Sequence, residues 1–252
     1  GVQTCALPIS PLIIDTLNMP EQMPHHYATY GGYSESIIDY TNLGLQERMQ
    51  EPRGQLLASQ VDPYSWREEL TLPKLVVLGT NDPYWTVDAA QFYYDDLVGY
   101  KRLYYQANTG HDVSVRGVAT ITQFYDAMLN GTTFPDLAWT KEADGTLTVT
   151  WAEPGGTAKL WEATSPNRDF RESRFASTPL EGDGEVRVTP DMPTEGWKAY
   201  YVEVTWPGAM GMPFGLTTEM VVMPDSFPEE GTRTYDLIDE TEAGPGDQAK
   251  AE

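Results

Sequence analysis

The stretch Leu72-Pro-Lys-Leu-Val-Val-Leu-Gly-Thr-Asn-Asp-Pro-Tyr-Trp85 decides the fold that this sequence predicts. Its apolar run, Leu75 to Leu78, follows a proline and stops at Gly79, which is typical of a strand buried on both faces of a parallel sheet. The Asn-Asp-Pro sequence that comes next favours a tight turn. Asp82 is therefore predicted to lie on a loop at the carboxyl end of a buried strand, where open α/β sheets place their functional groups.

A second strand and loop repeat this arrangement. Residues 101–106 predict a strand, and Ala107-Asn-Thr-Gly-His111 places a histidine on the loop after it. An acid after one strand and a histidine after the next is the order found in the Ser-Asp-His triad of α/β-hydrolases. In such a triad the histidine takes the serine proton and the carboxylate orients the imidazole. We therefore predict Asp82 as the catalytic acid and His111 as the catalytic histidine, within hydrogen-bonding distance of each other.

Asp15 is an alternative candidate for the acid. The residues Leu12-Ile-Ile predict a strand that ends near Asp15, and some α/β-hydrolases carry the acid one strand earlier. Asp82 is favoured as the acid, because the Asn-Asp-Pro turn exposes the Asp82 side chain. In a purely structural interpretation, Asp15 caps a turn, and Asp82 and His111 only stabilise their loops.

Four blocks of the sequence resemble the PhoPQ-activated pathogenicity-related protein family, and the resemblance covers roughly residues 11 to 225. The blocks are PLIIDTLNMPEQM, VDPYSWREEL, LPKLVVLGTNDPYWTVDAAQFYYDDL and YYQANTGH. The resemblance implies a bacterial α/β-hydrolase that is secreted or associated with the envelope, in the periplasm or outside the cell. In that family the serine nucleophile lies in a Gly-x-Ser-x-x-Gly-like turn upstream of these blocks, and this sequence has no such turn.

The resemblance therefore implies the C-terminal portion of a longer serine hydrolase, which cleaves an ester or amide bond and whose nucleophile lies outside this chain. None of the available serines sits in the strand-to-helix elbow that a nucleophile occupies. The candidates rejected on this ground are Ser34, Ser36, Ser59, Ser65 and Ser114. A second hypothesis is a non-catalytic secreted binding or signalling protein on an α/β-hydrolase scaffold, because one fold can host unrelated functions.

The composition limits the partners. A net charge of −22 over 252 residues argues against nucleic acid, which proteins bind by neutralising phosphates with Lys and Arg. A single cysteine, Cys5, excludes an internal disulfide and a cysteine-based zinc site. No apolar run approaches the ~18 residues that span a bilayer. We expect a small-molecule or peptide substrate, no cofactor and no metal; the sequence leaves the oligomeric state open.

The N-terminal half is expected to contain a leader and a hydrolase-like domain. Residues 1–10 resemble the translation of a sequencing adaptor and are expected to be non-native. Residues 11–134 are expected to form the C-terminal part of an α/β-hydrolase domain, with a cap insertion at 19–70. Helices are predicted over 53–61, over 86–97 and from Val118 to Met128, the last with Gly131 as its C-cap. His25 and His26 are expected at the surface.

The C-terminal half predicts a different architecture. Short alternating strands separated by turns at residues 135–225 favour a β-sandwich of the fibronectin or immunoglobulin kind. Four tryptophans in this region are expected in its core, although a sugar-stacking face is an alternative; they are Trp151, Trp161, Trp197 and Trp206. Residues 226–252 are acidic and poor in apolar side chains, and they predict a disordered tail.

Overall fold

The structure, a computed structural model, describes residues 12–14 and 17–237. Within these residues the chain is a mixed α/β protein with several sheets and few helices. The predicted leader, Asp15 and the part of the predicted tail beyond residue 237 lie outside the described residues.

A three-stranded parallel sheet carries the stretch that decided the predicted fold. Its strands are β1 (Leu12–Ile14), β2 (Lys74–Gly79) and β3 (Lys101–Gln106), in the order β1-β2-β3. Every residue of the central strand β2 is buried. The predicted doubly buried strand is therefore confirmed, because its apolar side chains meet protein on both faces of the sheet.

A helical insertion connects β1 to β2. It contains α1 (Met19–Tyr30), α2 (Ile38–Asn42), α3 (Leu45–Arg48) and α4 (Pro52–Val61), the last of which was predicted. The buried Asp62 carboxylate closes the insertion, because it accepts hydrogen bonds from the backbone N–H groups of Asn18 (3.2 Å) and Met19 (2.8 Å). These N–H groups lie at the start of α1, where backbone donors lack helical partners and a carboxylate is favoured.

The predicted helix over 86–97 is wrong. This segment forms only a short 3-10 turn, Ala89–Phe92, and the backbone leaves helical geometry at Tyr93, with φ −153° and ψ −23°. The residues at helical spacing are buried as predicted, but Tyr93 and Asp88 are buried as well. A regular helix presents only one face to a core, and tertiary burial of the remaining side chains overrides the helical pattern here.

The closing helix is confirmed as α5 (Val115–Asn130). The Ser114 hydroxyl caps its start by accepting a hydrogen bond from the N–H of Gly117 at 3.0 Å. Gly131 ends it with a φ of 64°, a left-handed conformation that glycine adopts without strain. None of the helices in the described ranges is long and apolar enough to cross a membrane.

Eight short strands form two antiparallel sheets after α5, as the alternating pattern predicted. One sheet has the order β10-β9-β6-β7, with β11 also paired to β9, and the other has the order β4-β5-β8. The strands are β4 (Ala138–Lys141), β5 (Leu147–Thr150), β6 (Thr157–Ser165), β7 (Ala176–Leu180), β8 (Glu185–Val188), β9 (Trp197–Trp206), β10 (Phe214–Thr217) and β11 (Val221–Met223). Of the four tryptophans, Trp151 and Trp206 are buried in the core between these sheets, and Trp161 and Trp197 are half-buried.

The antiparallel sheets and the parallel sheet share their hydrophobic cores. One cluster of buried side chains includes Val77 and Phe124 together with Val149 and Val202, and a second cluster also joins residues from both parts. Strand β10 approaches the edge of β3, where the N–H of Tyr105 donates to the Thr217 hydroxyl at 3.0 Å. The buried edge of the parallel sheet thus finds a polar partner in the antiparallel part.

The predicted disordered tail is wrong for the residues up to 237. Here the chain packs onto the helical insertion and onto the connection between β6 and β7. The Tyr235 hydroxyl donates to Glu35 at 2.8 Å, and the Thr234 hydroxyl donates to Asp169 at 2.7 Å. Added Cβ atoms at Gly31 and Gly32 would lie within 3 Å of Asp236 and Tyr235. Specific polar contacts thus fix a segment whose composition is typical of disorder.

A half-buried carboxyl at the antiparallel sheet leads to a prediction about pH. Burial, and then the nearby Asp95, raise the pKa of Glu219 from 4.5 to about 7. Between these pH values the folded state holds a proton at Glu219 that the unfolded state has released. The contribution of Glu219 to the free energy of unfolding therefore falls as the pH rises from about 4.5 to about 7. Urea unfolding of wild-type and Glu219→Gln proteins should reveal a smaller decline across this range in the variant.

His26 affects the pH dependence of stability in the opposite direction, and comparing the wild type with Glu219→Gln removes its effect. Burial, and then Arg171, lower the pKa of His26 to about 3, so stability gained from His26 rises between about pH 3 and 6.5 in both proteins. Equal pH slopes in the two proteins between pH 5 and 7 would show that Glu219 does not hold the proton.

Candidate functional site

Asp82 and His111 lie together at the carboxyl ends of β2 and β3. The His111 Nδ1 atom is 2.7 Å from the Asp82 Oδ2 atom. The predicted proximity of these two residues is confirmed, and their catalytic roles stay a prediction. The rival acid, Asp15, lies outside the described residues.

Backbone hydrogen bonds between the two loops hold this pair. The N–H of Thr80 donates to the carbonyl of Gln106 at 3.1 Å, and the N–H of Asn81 donates to the carbonyl of Thr109 at 3.0 Å. A Cβ atom at Gly79 would lie 2.2 Å from the Gly110 carbonyl oxygen, so only glycine permits this close approach. The parallel pairing of β2 with β3 therefore continues into the loops that carry Asp82 and His111.

The environment of the pair differs between its two members. Asp82 is 8% exposed, and its Oδ1 atom accepts the N–H of Tyr84 at 2.7 Å. The His111 side chain is 36% exposed, and its ring packs against the Tyr84 ring at a centroid distance of 4.3 Å. An ionised carboxylate only accepts hydrogen bonds, so Nδ1 donates and the more distant Nε2 is the basic nitrogen. This is the arrangement by which a carboxylate fixes the tautomer of a general base.

The serines rejected in the sequence have structural hydrogen bonds where their hydroxyls are described. Ser114 caps α5 and also donates to the Gln106 side chain at 2.8 Å, and Ser34 accepts the N–H of Ser36 at 3.2 Å. Ser59 and Ser65 donate to backbone carbonyls within the helical insertion. In these contacts the hydroxyls serve as helix caps or bond to nearby backbone and side-chain groups, and none of the contacts is with a histidine.

The structure contains a buried charged cluster that the sequence analysis missed. Arg168 and Asp88 form an ion pair, with Nη2 2.8 Å from Oδ2, and each side chain is 4% exposed. The other oxygen of Asp88 lies 3.0 Å from Nε2 of His25, and the second terminal nitrogen of Arg168 donates to the Thr29 hydroxyl at 3.1 Å. This cluster joins the helical insertion, the 86–97 segment and the connection between β6 and β7.

The expectation that His25 and His26 lie at the surface is wrong. The His25 side chain is 9% exposed and pairs with Asp88, while His26 is 1% exposed and accepts the N–H of Ser34 at 3.2 Å. Adjacent residues on a helix point in different directions, and here both directions meet protein. No periodic signal identifies Arg168, which adopts a left-handed φ of 66° in a connection between strands.

The buried cluster is held by attraction between charges. Burial alone would raise the pKa of Asp88, but Arg168 and then His25 outweigh it and hold the pKa of this carboxyl well below its usual range. Arg168 also lines a cavity of about 110 Å³ together with Lys141 and Glu219. Among the residues that the structure describes, no group of three or more His, Cys, Asp or Glu side chains is arranged to hold a metal ion.

Two comparisons show which known proteins the chain is similar to. The sequence model of the PhoPQ-activated pathogenicity-related protein family matches residues 5–171, a range that starts inside the predicted leader. Autocrine proliferation repressor protein A from Dictyostelium discoideum is 24% identical over 274 residues, which cover 94% of this chain and 55% of that protein. The chain thus spans little more than half the length of this curated relative.

The buried ion pair leads to a stability prediction. Asp88→Ala leaves the Arg168 guanidinium buried without its carboxylate, and we expect the free energy of unfolding to fall by about 3–5 kcal/mol. Glu142→Ala is the matched control, because it breaks the ion pair of Glu142 with Arg187 on the exposed surface. There we expect a loss of at most about 1 kcal/mol, measured in the same urea titration.

A double variant separates the effect of losing the whole ion pair from the effect of leaving one charge buried alone. Replacing the ion pair with apolar side chains, Asp88→Leu with Arg168→Met, should recover most of the stability lost in Asp88→Ala. Similar stabilities for Asp88→Ala and Glu142→Ala would contradict a buried pair at this position.

Proposed function

Because the chain belongs to the PhoPQ-activated pathogenicity-related protein family, we propose that it supplies the acid and the histidine of a serine hydrolase. In this proposal His111 is the general base and Asp82 orients it, while the nucleophilic serine comes from sequence outside these 252 residues. The reaction is hydrolysis of an ester or amide bond in a small-molecule or peptide substrate. The full-length protein acts in the periplasm or outside the cell.

The single observation that carries the proposal is the 2.7 Å contact between His111 Nδ1 and Asp82 Oδ2. The contact joins two loops at the carboxyl edge of a parallel sheet, which is where α/β folds assemble sites. A buried carboxylate beside a half-exposed imidazole supports the roles of orienting acid and solvent-facing base.

We also propose a more specific fold than the general class of mixed α/β proteins. We propose that β1, β2 and β3 are the last strands of an α/β-hydrolase sheet and that the helical insertion is its cap. The antiparallel sheets would then be a fibronectin-like sandwich. The order β1-β2-β3, with the acid after β2 and the histidine after β3, supports this assignment.

A second candidate function is supported by a different observation. The name of the Dictyostelium relative describes an autocrine repressor of proliferation, which is a signalling role. In this alternative the chain is part of a secreted binding or signalling protein that keeps the hydrolase scaffold without catalysis. The two candidates differ in whether the full-length protein contains a serine that His111 activates.

Labelling with a fluorophosphonate probe tests the hydrolase proposal, because the probe reacts with activated serines. We expect the full-length protein to be labelled and the labelling rate to fall by roughly 10⁴-fold in His111→Ala and in Asp82→Asn. Asp112→Asn is the matched control, because it neutralises an exposed carboxylate next to His111 and should leave the rate unchanged.

Three outcomes have different meanings for this proposal. Absence of labelling in the soluble full-length protein would favour the non-catalytic alternative. Equal labelling of wild type and His111→Ala would remove His111 from the mechanism. Specific labelling of the 252-residue chain would show that a serine within it is the nucleophile.

A further inference from the structure

We infer that Asn81 and Asn108 are positioning residues, which fasten the loops of Asp82 and His111 to the chain segment 166–175. This segment, called the β6–β7 loop below, belongs to the antiparallel part of the protein. The inference deepens the proposed function, and it rests on that function where it treats Asp82 and His111 as an acid–base pair. Neither asparagine needs to touch a substrate for this role.

Asn108 forms a two-point contact with the β6–β7 loop. Its Nδ2 atom donates to the carbonyl of Phe175 at 2.9 Å, and its Oδ1 atom accepts the N–H of Phe175 at 2.8 Å. The two bonds imitate the exchange between paired strands, and reversing the amide would break both of them. Asn108 also has a φ of 54°, in the left-handed region that asparagine tolerates better than most residues.

Asn81 fastens the other loop to the same segment. Its Nδ2 atom lies 3.0, 2.9 and 2.7 Å from the carbonyl oxygens of Phe170, Arg171 and Ser173. An amide nitrogen carries two hydrogens, so three acceptors share two donors. The Asn81 side chain thus holds the β6–β7 loop next to the backbone that leads into Asp82.

The Thr80 hydroxyl joins the two asparagines into one network. It donates to Oδ1 of Asn81 at 3.0 Å and accepts the backbone N–H of Asn108 at 2.8 Å. Thr80 is 1% exposed, so these bonds form away from competing water. A shift of either loop along the sheet would therefore disturb the contacts of both asparagines.

The β6–β7 loop is a firm anchor. Phe170 and Phe175 are each 2% exposed and pack in the second hydrophobic cluster. Between them, Arg171 pairs with Asp169 at 2.6 Å, and this carboxylate also accepts the Thr234 hydroxyl. The two buried phenylalanines and the Arg171–Asp169 ion pair therefore restrict movement of the loop that the asparagines contact.

The network therefore bears on the geometry of the Asp–His pair. Asn81 directly precedes Asp82, and Asn108 lies three residues before His111. A hydrogen bond of 2.7 Å tolerates little displacement, and a misplacement of about 1 Å can slow a catalysed reaction by about a hundredfold. For the same reason, we expect deletion of the antiparallel part to disturb the geometry of the Asp–His pair.

Three variants separate positioning from general stability. Asn81→Ala removes the amide that holds the three carbonyls. Asn108→Gly removes the contact with Phe175 and leaves a residue that suits the left-handed backbone. Asn167→Ala is the matched control, because Asn167 lies in the same loop but its amide donates to the Thr234 hydroxyl at 3.2 Å.

Nuclear magnetic resonance of the His111 imidazole in the 15N-labelled 252-residue chain is the direct measurement. His111→Asn assigns the signal among the three histidines. We expect the Nδ1 proton to exchange with water about tenfold faster in Asn81→Ala and in Asn108→Gly, because each variant loses hydrogen bonds that fix a loop of the pair; a tenfold change corresponds to about 1.4 kcal/mol. Asn167→Ala should leave the exchange rate unchanged, whereas Asn108→Asp, which turns a carboxylate oxygen toward the Phe175 carbonyl, should speed exchange at least as much as Asn108→Gly does.

The thermal midpoint of each variant shows whether the effect is local. Faster exchange in Asn81→Ala and Asn108→Gly, measured at a temperature well below the thermal midpoint of each variant, supports positioning, because the chain is then folded. An unchanged His111 signal in both variants, or an equal change in Asn167→Ala, overturns the inference. This readout does not need a nucleophile, so it stays informative if the full-length protein fails to label and the hydrolase proposal falls.

Discussion

The parallel pairing of β2 with β3 is the constraint on which the rest of the structure depends. It brings the ends of both strands to one edge, and Gly79 lets the following loops approach within hydrogen-bonding distance. Asp82 and His111 are 29 residues apart in sequence, yet their side chains meet because parallel strands end on the same side of a sheet. The strands themselves are fixed by apolar burial, so the position of the pair is a consequence of the core.

The antiparallel part of the chain is built into this arrangement. Its side chains complete both hydrophobic clusters around the parallel sheet, and Thr217 satisfies the N–H of Tyr105 at the edge of β3. A further link between the two parts is the ion pair of Arg116 on α5 with the buried Glu203 of β9, at 2.7 Å. Such shared packing and polar contacts couple the loops of the candidate site to strands that contribute none of its proposed catalytic groups.

Buried charge plays a different part from buried apolar surface. The Arg168–Asp88–His25 cluster costs desolvation energy, and its mutual attraction repays this cost only in the right geometry. Because removing one partner leaves the other charge buried without compensation, the cluster ties the helical insertion, the 86–97 segment and the β6–β7 loop to one another. Arg168 also holds a left-handed backbone conformation that arginine rarely adopts, with a φ of 66°.

The sequence by itself determined the features that depend on local pattern. These are the buried strand β2, the helices α4 and α5, the alternation of short strands after α5, and the order of Asp82 and His111 on successive loops. Tertiary structure decided the rest, because long-range contacts outweigh local preference: the 86–97 segment buries too many faces for a helix, His25 and His26 meet protein, and residues up to 237 are held by Glu35 and Asp169. The contacts of Asn81 and Asn108 with residues 67 or more positions away also leave no periodic signal in the sequence, since a polar side chain in a loop gives no indication of its partner.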